Sequence, residues 1–287
     1  LYGFLYINKT KEIMDINKII NDYKSGLSIR KISKNTKLTR YRITKILTDN
    51  NIKIISNIEK LRKYDINEKY FDNIDNEHKA YTLGFLCADG YNNEKKNIVK
   101  LSLKEDDIDI LEKIREPICP TKPLRYSEYK NSNSTKPQWS FVIDNGHISR
   151  KLSSFGVIQA KTFKLQFPNF LDDSLLKHFI RGYFDGDGCI TKGVSKTNYP
   201  KYYIFIASTE MFLKDLQKHF MKCLKIKIHK LQTRHPERKN NIRTLGIGGN
   251  LQVEKILDYL YKDSNIYLNR KYEYYLKVKN TNYLKYK

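Results

Sequence analysis

Two segments of this chain end alike. Thr82-Leu83-Gly84-Phe85-Leu86-Cys87-Ala88-Asp89-Gly90 and Ile180-Arg181-Gly182-Tyr183-Phe184-Asp185-Gly186-Asp187-Gly188 are both apolar runs that finish on an Asp-Gly pair. Apolar runs of this kind predict a helix in each. Gly84, Ala88, Gly182 and Gly186 remove bulk inside the runs, and Gly90 and Gly188 follow the final acids. Two such helices can pack side by side at close range, so that their C-terminal ends meet and Asp89 comes to lie near Asp187. Like charges at that distance repel unless a cation sits with them. Hard oxygen donors favour Mg²⁺ with retained waters. One carboxylate site built from two similar halves is the strongest constraint on what this chain can fold into.

The charge balance says what such a site would act on. Lys and Arg number 54 against 31 Asp and Glu, a net charge of +23 spread along the whole sequence. An excess of that size attracts a phosphate backbone and makes affinity depend on salt. No stretch approaches the roughly 20 apolar residues of a spanning helix, and no signal peptide is evident, so a membrane is not expected as the partner. Cys87, Cys119, Cys189 and Cys223 show no zinc spacing and read as reduced thiols of an intracellular protein. The chain opens on Leu1 rather than Met, and a processed, truncated or in-frame start is expected.

At 287 residues the chain has room for two or three modules. Residues 1–52 read as a helix-turn-helix unit of three short helices. The first runs over 15–23 and is broken by Gly26, Ser28 caps the second, and Thr39 caps the third. The third helix carries Arg40, Arg42 and Lys45 on one side and Ile43, Ile46 and Leu47 on the other, the pattern of a helix that enters the major groove. A charged linker is expected over 53–76, one half over 77–170 and the other over 171–287.

Each half reads as α-β-β-α-β-β-α, an α+β fold. In the first, Val99, Leu101 and Leu103 alternate with Lys100, Ser102 and Lys104, giving a strand with one apolar and one polar face. Further strands are expected near 118–129 and 138–143. In the second half they are expected near 189–194, 201–208, 225–233 and 242–247. Helices on one face of a sheet leave the other face free. Lys100, Ser102, Lys104, Arg125, Lys192, Lys196, Lys227, Arg234, Arg238 and Arg243 are the candidates to line it and contact DNA.

The two acidic segments resemble the motifs of the LAGLIDADG homing endonucleases in their single-chain, two-motif form, and the resemblance runs from about residue 77 to the C-terminus. Gly182, Asp185, Gly186, Asp187 and Gly188 fit the motif closely. The first copy departs at Cys87, where the family usually has an acid. The resemblance implies two pseudo-symmetric halves whose sheets form a DNA-binding saddle. It implies Asp89 and Asp187 as catalytic, metal-holding acids and carries an active-site lysine over to Lys161 and Lys271. Ser102, Lys104, Ser208 and Thr209 are weaker candidates to hold water there.

The activity implied is a site-specific, Mg²⁺-dependent double-strand cut across the minor groove, with short 3′ overhangs, made by a monomer on a long asymmetric target in the service of a mobile element. Mn²⁺ is expected to substitute, and Ca²⁺ to bind without cleavage. Two alternatives stay open: an intron maturase binding RNA, and a non-cleaving DNA-binding regulator. A bacterial, phage-infected or organellar host fits the AT-rich coding style. The scattered histidines form no triad, and Gly246-Ile247-Gly248-Gly249 lacks the spacing of a nucleotide-binding loop.

Overall fold

The structure is a computed structural model that describes residues 16–54, 63–131, 134–194, 199–233 and 241–281. The chain divides into two compact units, residues 1–63 and 64–287.

The small unit holds three helices: α1 (16–24), α2 (Ile29–Thr36) and α3 (Arg40–Asp49). The Ser28 hydroxyl accepts from the Lys31 N–H and that of Thr39 from the Arg42 N–H, each satisfying a donor that the first helical turn leaves open. Ile19, Tyr23, Ile32, Ile43 and Leu47 form its core. Arg40, Tyr41, Arg42 and Lys45 are exposed on α3.

The large unit contains two halves. The first runs α4 (Glu77–Asp89), β1 (Tyr91–Asn93), β2 (Ile98–Lys104), α5 (Ile108–Arg115), β3 (Arg125–Asn131), β4 (Ser134–Asp144), α6 (Gly146–Ser154). Its antiparallel sheet has the order β1-β2-β4-β3. The second runs α7 (Asp173–Asp187), β5 (Cys189–Val194), β6 (Pro200–Thr209), α8 (Glu210–Leu224), β7 (Ile242–Gly248), α9 (Asn250–Tyr261), α10 (Asn269–Lys279). Its sheet is β5-β6-β7. One apolar core spans both halves.

Three expectations change. The strand near 225–233 is reduced, among the described residues, to one bridge between Gln232 and Thr244. The stretch read as linker is partly core, since Tyr70 and Phe71 are buried within the large unit. Helix α10 appears where no helix was expected. It is rich in Lys and Tyr with little apolar periodicity, and it buries Lys271, Tyr275 and Val278.

Helices α4 and α7 pack against each other through their glycines. A Cβ on Gly84 would stand 2.0 Å from the Phe179 carbonyl oxygen, and one on Gly182 would stand 2.0 Å from that of Tyr81. Both obstacles are backbone atoms that cannot rotate away, so the two helices meet main chain to main chain. The matching pair of contacts relates the halves by a pseudo-twofold.

Candidate active site

The close helix pair delivers its C-termini to one place. A Cβ on Gly186 would lie 2.4 Å from the Ala88 Cβ and 3.3 Å from Asp89 Oδ2, so the end of α7 faces the Asp89 carboxylate directly. Each helix stops at a glycine, Gly90 or Gly188, whose N–H donates to Leu86 O or Phe184 O.

Asp89 and Asp187 are both open to solvent at this junction yet crowded by protein. Crowding and then the neighbouring Asp89 charge push the Asp187 carboxyl up to about 6, against the offset of Lys161, Lys271 and the Tyr183 hydroxyl. Asp89 is raised as well, chiefly by burial, with Lys161, Lys271 and Arg270 pulling the other way. Two carboxylates that resist losing both protons are poised to take a cation.

The lysines occupy matching positions. Lys161, on a short 3-10 turn (Lys161–Phe163), donates through Nζ to the Gly90 carbonyl. Lys271, on α10, donates to the Gly188 carbonyl at 2.6 Å, to Asp185 O at 2.8 Å and to Phe184 O. Each ammonium therefore sits on the carbonyl that closes its own motif helix. Burial lowers both pKa values, that of Lys271 to about 8. A cavity of about 130 Å³ joins Lys161 to Asp187, with Cys87, Tyr183 and Ser208 in its wall.

Sequence reasoning placed Asp185 in the motif without giving it a role or partners, and it gave no role to Arg181, Glu77 or Asn265. Asp185 is fully buried and accepts from Tyr81 Oη (2.7 Å), Tyr261 Oη (2.5 Å) and the Leu268 N–H (2.8 Å). Its carboxyl is raised by burial, with Lys271 the main offset. Arg181, also buried, donates to Ile266 O and Leu260 O, both at 2.9 Å, and to Glu77 at the start of α4. Asn265 donates to the same glutamate through its N–H and its side-chain amide. The signal was a charged pair inside an apolar helix, but its partners lie far away in sequence.

Other candidates move. Lys192 and Arg243 do not line the free face. Lys192 is opposite Tyr202, and Arg243 is opposite Ser208, both on the helix side of β6. Arg243 reaches Glu210 at 3.1 Å. Lys227 is exposed on a segment that is not a strand, while Lys196, Arg234 and Arg238 lie outside the described residues. Of the weaker candidates, Thr209 caps α8 and donates to Leu165 O, Ser208 accepts from Tyr183 Oη, and Ser102 bonds Ser140. Lys104 pairs with Asp106. Lys100, Ser102, Lys104 and Arg125 do share the face of the first sheet turned away from its core.

Among the described residues no cluster of three or more His, Cys, Asp or Glu side chains could enclose a metal. The donor set still fits a hard divalent cation of the Mg²⁺ type, which is usually held by one or two carboxylates and completes its shell with water and substrate phosphate.

Residues 174–261 match the model of the LAGLIDADG-like domain. The matched stretch runs from α7 through α9, and the first half repeats its opening order of elements across the shared helix pair. Similar solved structures include the LAGLIDADG meganuclease I-AabMI bound to uncleaved DNA, at 15% identity over 71% of this chain and 89% of that one, TM-score 0.44. The LAGLIDADG homing endonuclease I-GzeII in complex with its DNA target is 13% identical over 71% and 88%, TM-score 0.47. Full-length DUF199/WhiA from Thermatoga maritima is 17% identical over 74% and 63%, TM-score 0.43. No curated protein sequence matches the chain.

Proposed function

We propose that this chain is a divalent-metal-dependent, site-specific double-strand DNA endonuclease of the homing type, acting as a monomer. The observation that carries the reading is the meeting of Asp89 and Asp187 at the ends of two backbone-packed helices, each beside a lysine anchored on a glycine carbonyl.

Asp89 and Asp187 would hold Mg²⁺, which relieves their mutual repulsion. The bound metal supplies polarisation of the phosphate, activation of water and stabilisation of the leaving oxygen. Lys161 and Lys271 are fixed before substrate arrives, so each can stabilise charge on a cleaved phosphate or orient water without reorganising. Pseudo-twofold pairing of the lysines supports one cut per strand. Lys100, Lys104 and Arg125 on the first sheet supply phosphate and base contacts. Arg40, Arg42 and Lys45 on α3 suit a recognition helix that extends the footprint at one end.

The test is cleavage of a randomised duplex library with Mg²⁺ by the wild type, Asp89→Asn and Asp187→Asn. Double-strand breaks at one long motif are expected from the wild type. Each variant should lose on the order of 10³-fold in cleavage while still binding. Selection of duplex without any cut, in Mg²⁺ or Mn²⁺, rejects the reading and leaves a DNA-binding regulator. Stimulated intron splicing in its place leaves a maturase.

A further inference from the structure

The two sheets turn different chemistry outward. On the first, Lys100, Ser102, Lys104, Arg125 and Gln138 share the face opposite the core residues Leu101 and Phe141. On the second, strand register puts Thr191, Tyr203, Phe205 and Thr244 on the face opposite the core residues Ile204, Ile206, Leu245 and Ile247. Among the described residues of the three strands, Lys201 is the one cation on that face.

Tyr203 and Phe205 are arranged as a pair. Their rings are 6.5 Å apart and 17° from parallel. Both lean over glycines of β7: a Cβ on Gly248 would stand 2.7 Å from the Tyr203 ring, and one on Gly246 would stand 3.0 Å from that of Phe205. On the other side a Cβ on Gly193 would stand 3.4 Å from the Tyr203 ring, an ordinary contact. Glycine at 246 and 248 lets the rings spread across the strand where side chains would otherwise rise. The result is a low, hydrocarbon-rich surface edged by Thr191 on one side and, beyond the buried Thr244, by the exposed Gln232 on the other. Both rings remain partly exposed, although the core of this sheet is fully supplied from its other face.

Base edges in the major groove differ in what they ask of a protein. Guanine is read by Arg or Lys, adenine by Asn or Gln, and thymine alone offers a methyl group to an apolar contact. The first sheet carries the donors for guanine, adenine and phosphate. The second carries two aromatic rings and the Thr191 methyl, with one amide, Gln232, at its rim. A stacking platform for a single strand would need a cationic groove to track the backbone, and among the described residues of the three strands Lys201 alone does not make one.

Taking the duplex-cleaving reading as its basis, we infer that the second sheet recognises thymine methyl groups, with Tyr203 and Phe205 as specificity-determining residues. The target is then chemically asymmetric. The half under the second sheet is thymine-rich and read with few hydrogen bonds, and the half under the first is read by charged and amide groups.

The test starts from the duplex that the full chain selects from a random library. Thymines are replaced by deoxyuridine, one half-site at a time, which removes the methyl and leaves pairing intact. In one half-site each contacted methyl lost should weaken binding about fourfold. The base preference of that same half-site should relax in Tyr203→Asn and Phe205→Asn, while Phe205→Leu, still apolar, retains it. Equal insensitivity of both halves to methyl loss, or relaxation of the other half-site by the Asn variants, with cleavage intact, overturns this inference and leaves the endonuclease standing. Selection of single-stranded over duplex nucleic acid overturns both.

Discussion

The two halves share a backbone plan and diverge in what surrounds their matched acids and lysines. At one motif position Asp185 is a buried carboxylate with three donors, and its counterpart Cys87 is a buried thiol whose pKa burial pushes up to about 12. Lys271 rides on the eleven-residue helix α10, while Lys161 sits on a three-residue turn. The first sheet has four strands and a cationic free face, and the second has three strands and an aromatic one. Both lysines still reach the same kind of carbonyl. This two-motif chain keeps the paired acids and lysines matched and lets their supports drift, because a single polypeptide has no symmetry to enforce.

The largest break in that comparison should come from the supports. Asp185→Ala strands the hydroxyls of Tyr81 and Tyr261 and the Leu268 N–H, and should cost about 3–5 kcal/mol of stability. Cys87→Ala removes only a small apolar group and should cost about 1 kcal/mol. Denaturant unfolding followed through Trp139, the chain's single tryptophan, measures both. Equal losses would mean that the two positions do the same job.

A smaller effect sharpens the acid pair. Burial and the neighbouring Asp89 push the Asp187 carboxyl from its ordinary value up to about 6, so between those two values the folded state holds more protons than the unfolded. Without divalent cation, stability should therefore fall as pH rises from about 4 to about 6, and this fall should be weaker in Asp187→Asn. At neutral pH, Mg²⁺ should raise the melting temperature of the wild type more than that of the variant. A wild type and variant with the same pH profile would show that the carboxylates do not crowd each other.

The smallest effect separates the faces. Lys100→Ala should reduce the salt dependence of DNA binding by about one unit of log–log slope. Arg243→Ala should leave the slope unchanged, since its guanidinium faces Glu210.

How far these features were legible varies with their range. The motif helices and their terminal acids were readable because apolar runs and small residues are local signals, and so was the αββαββα order of the first half. Lys192 and Arg243 were misplaced because strand faces alternate with every residue, and one step of phase turns a side chain to the other side. The strand expected near 225–233 has β-like composition, but pairing at a sheet edge is decided by the neighbour, and here it shrank to the Gln232–Thr244 bridge. Helix α10 was invisible because its stability comes from burying Lys271, Tyr275 and Val278 rather than from its own periodicity.

By itself the sequence determined that two helices ending in Asp-Gly would pair, because the glycines that permit contact and the acids that follow are written side by side. Tertiary structure alone decided that Lys161 and Lys271 would each land on a glycine carbonyl, that Asp185 would be ringed by Tyr81 and Tyr261, and that Tyr203 and Phe205 would face outward over glycines. Those contacts join residues far apart in the chain, and their geometry follows from how the sheets and helices pack, which no local pattern encodes.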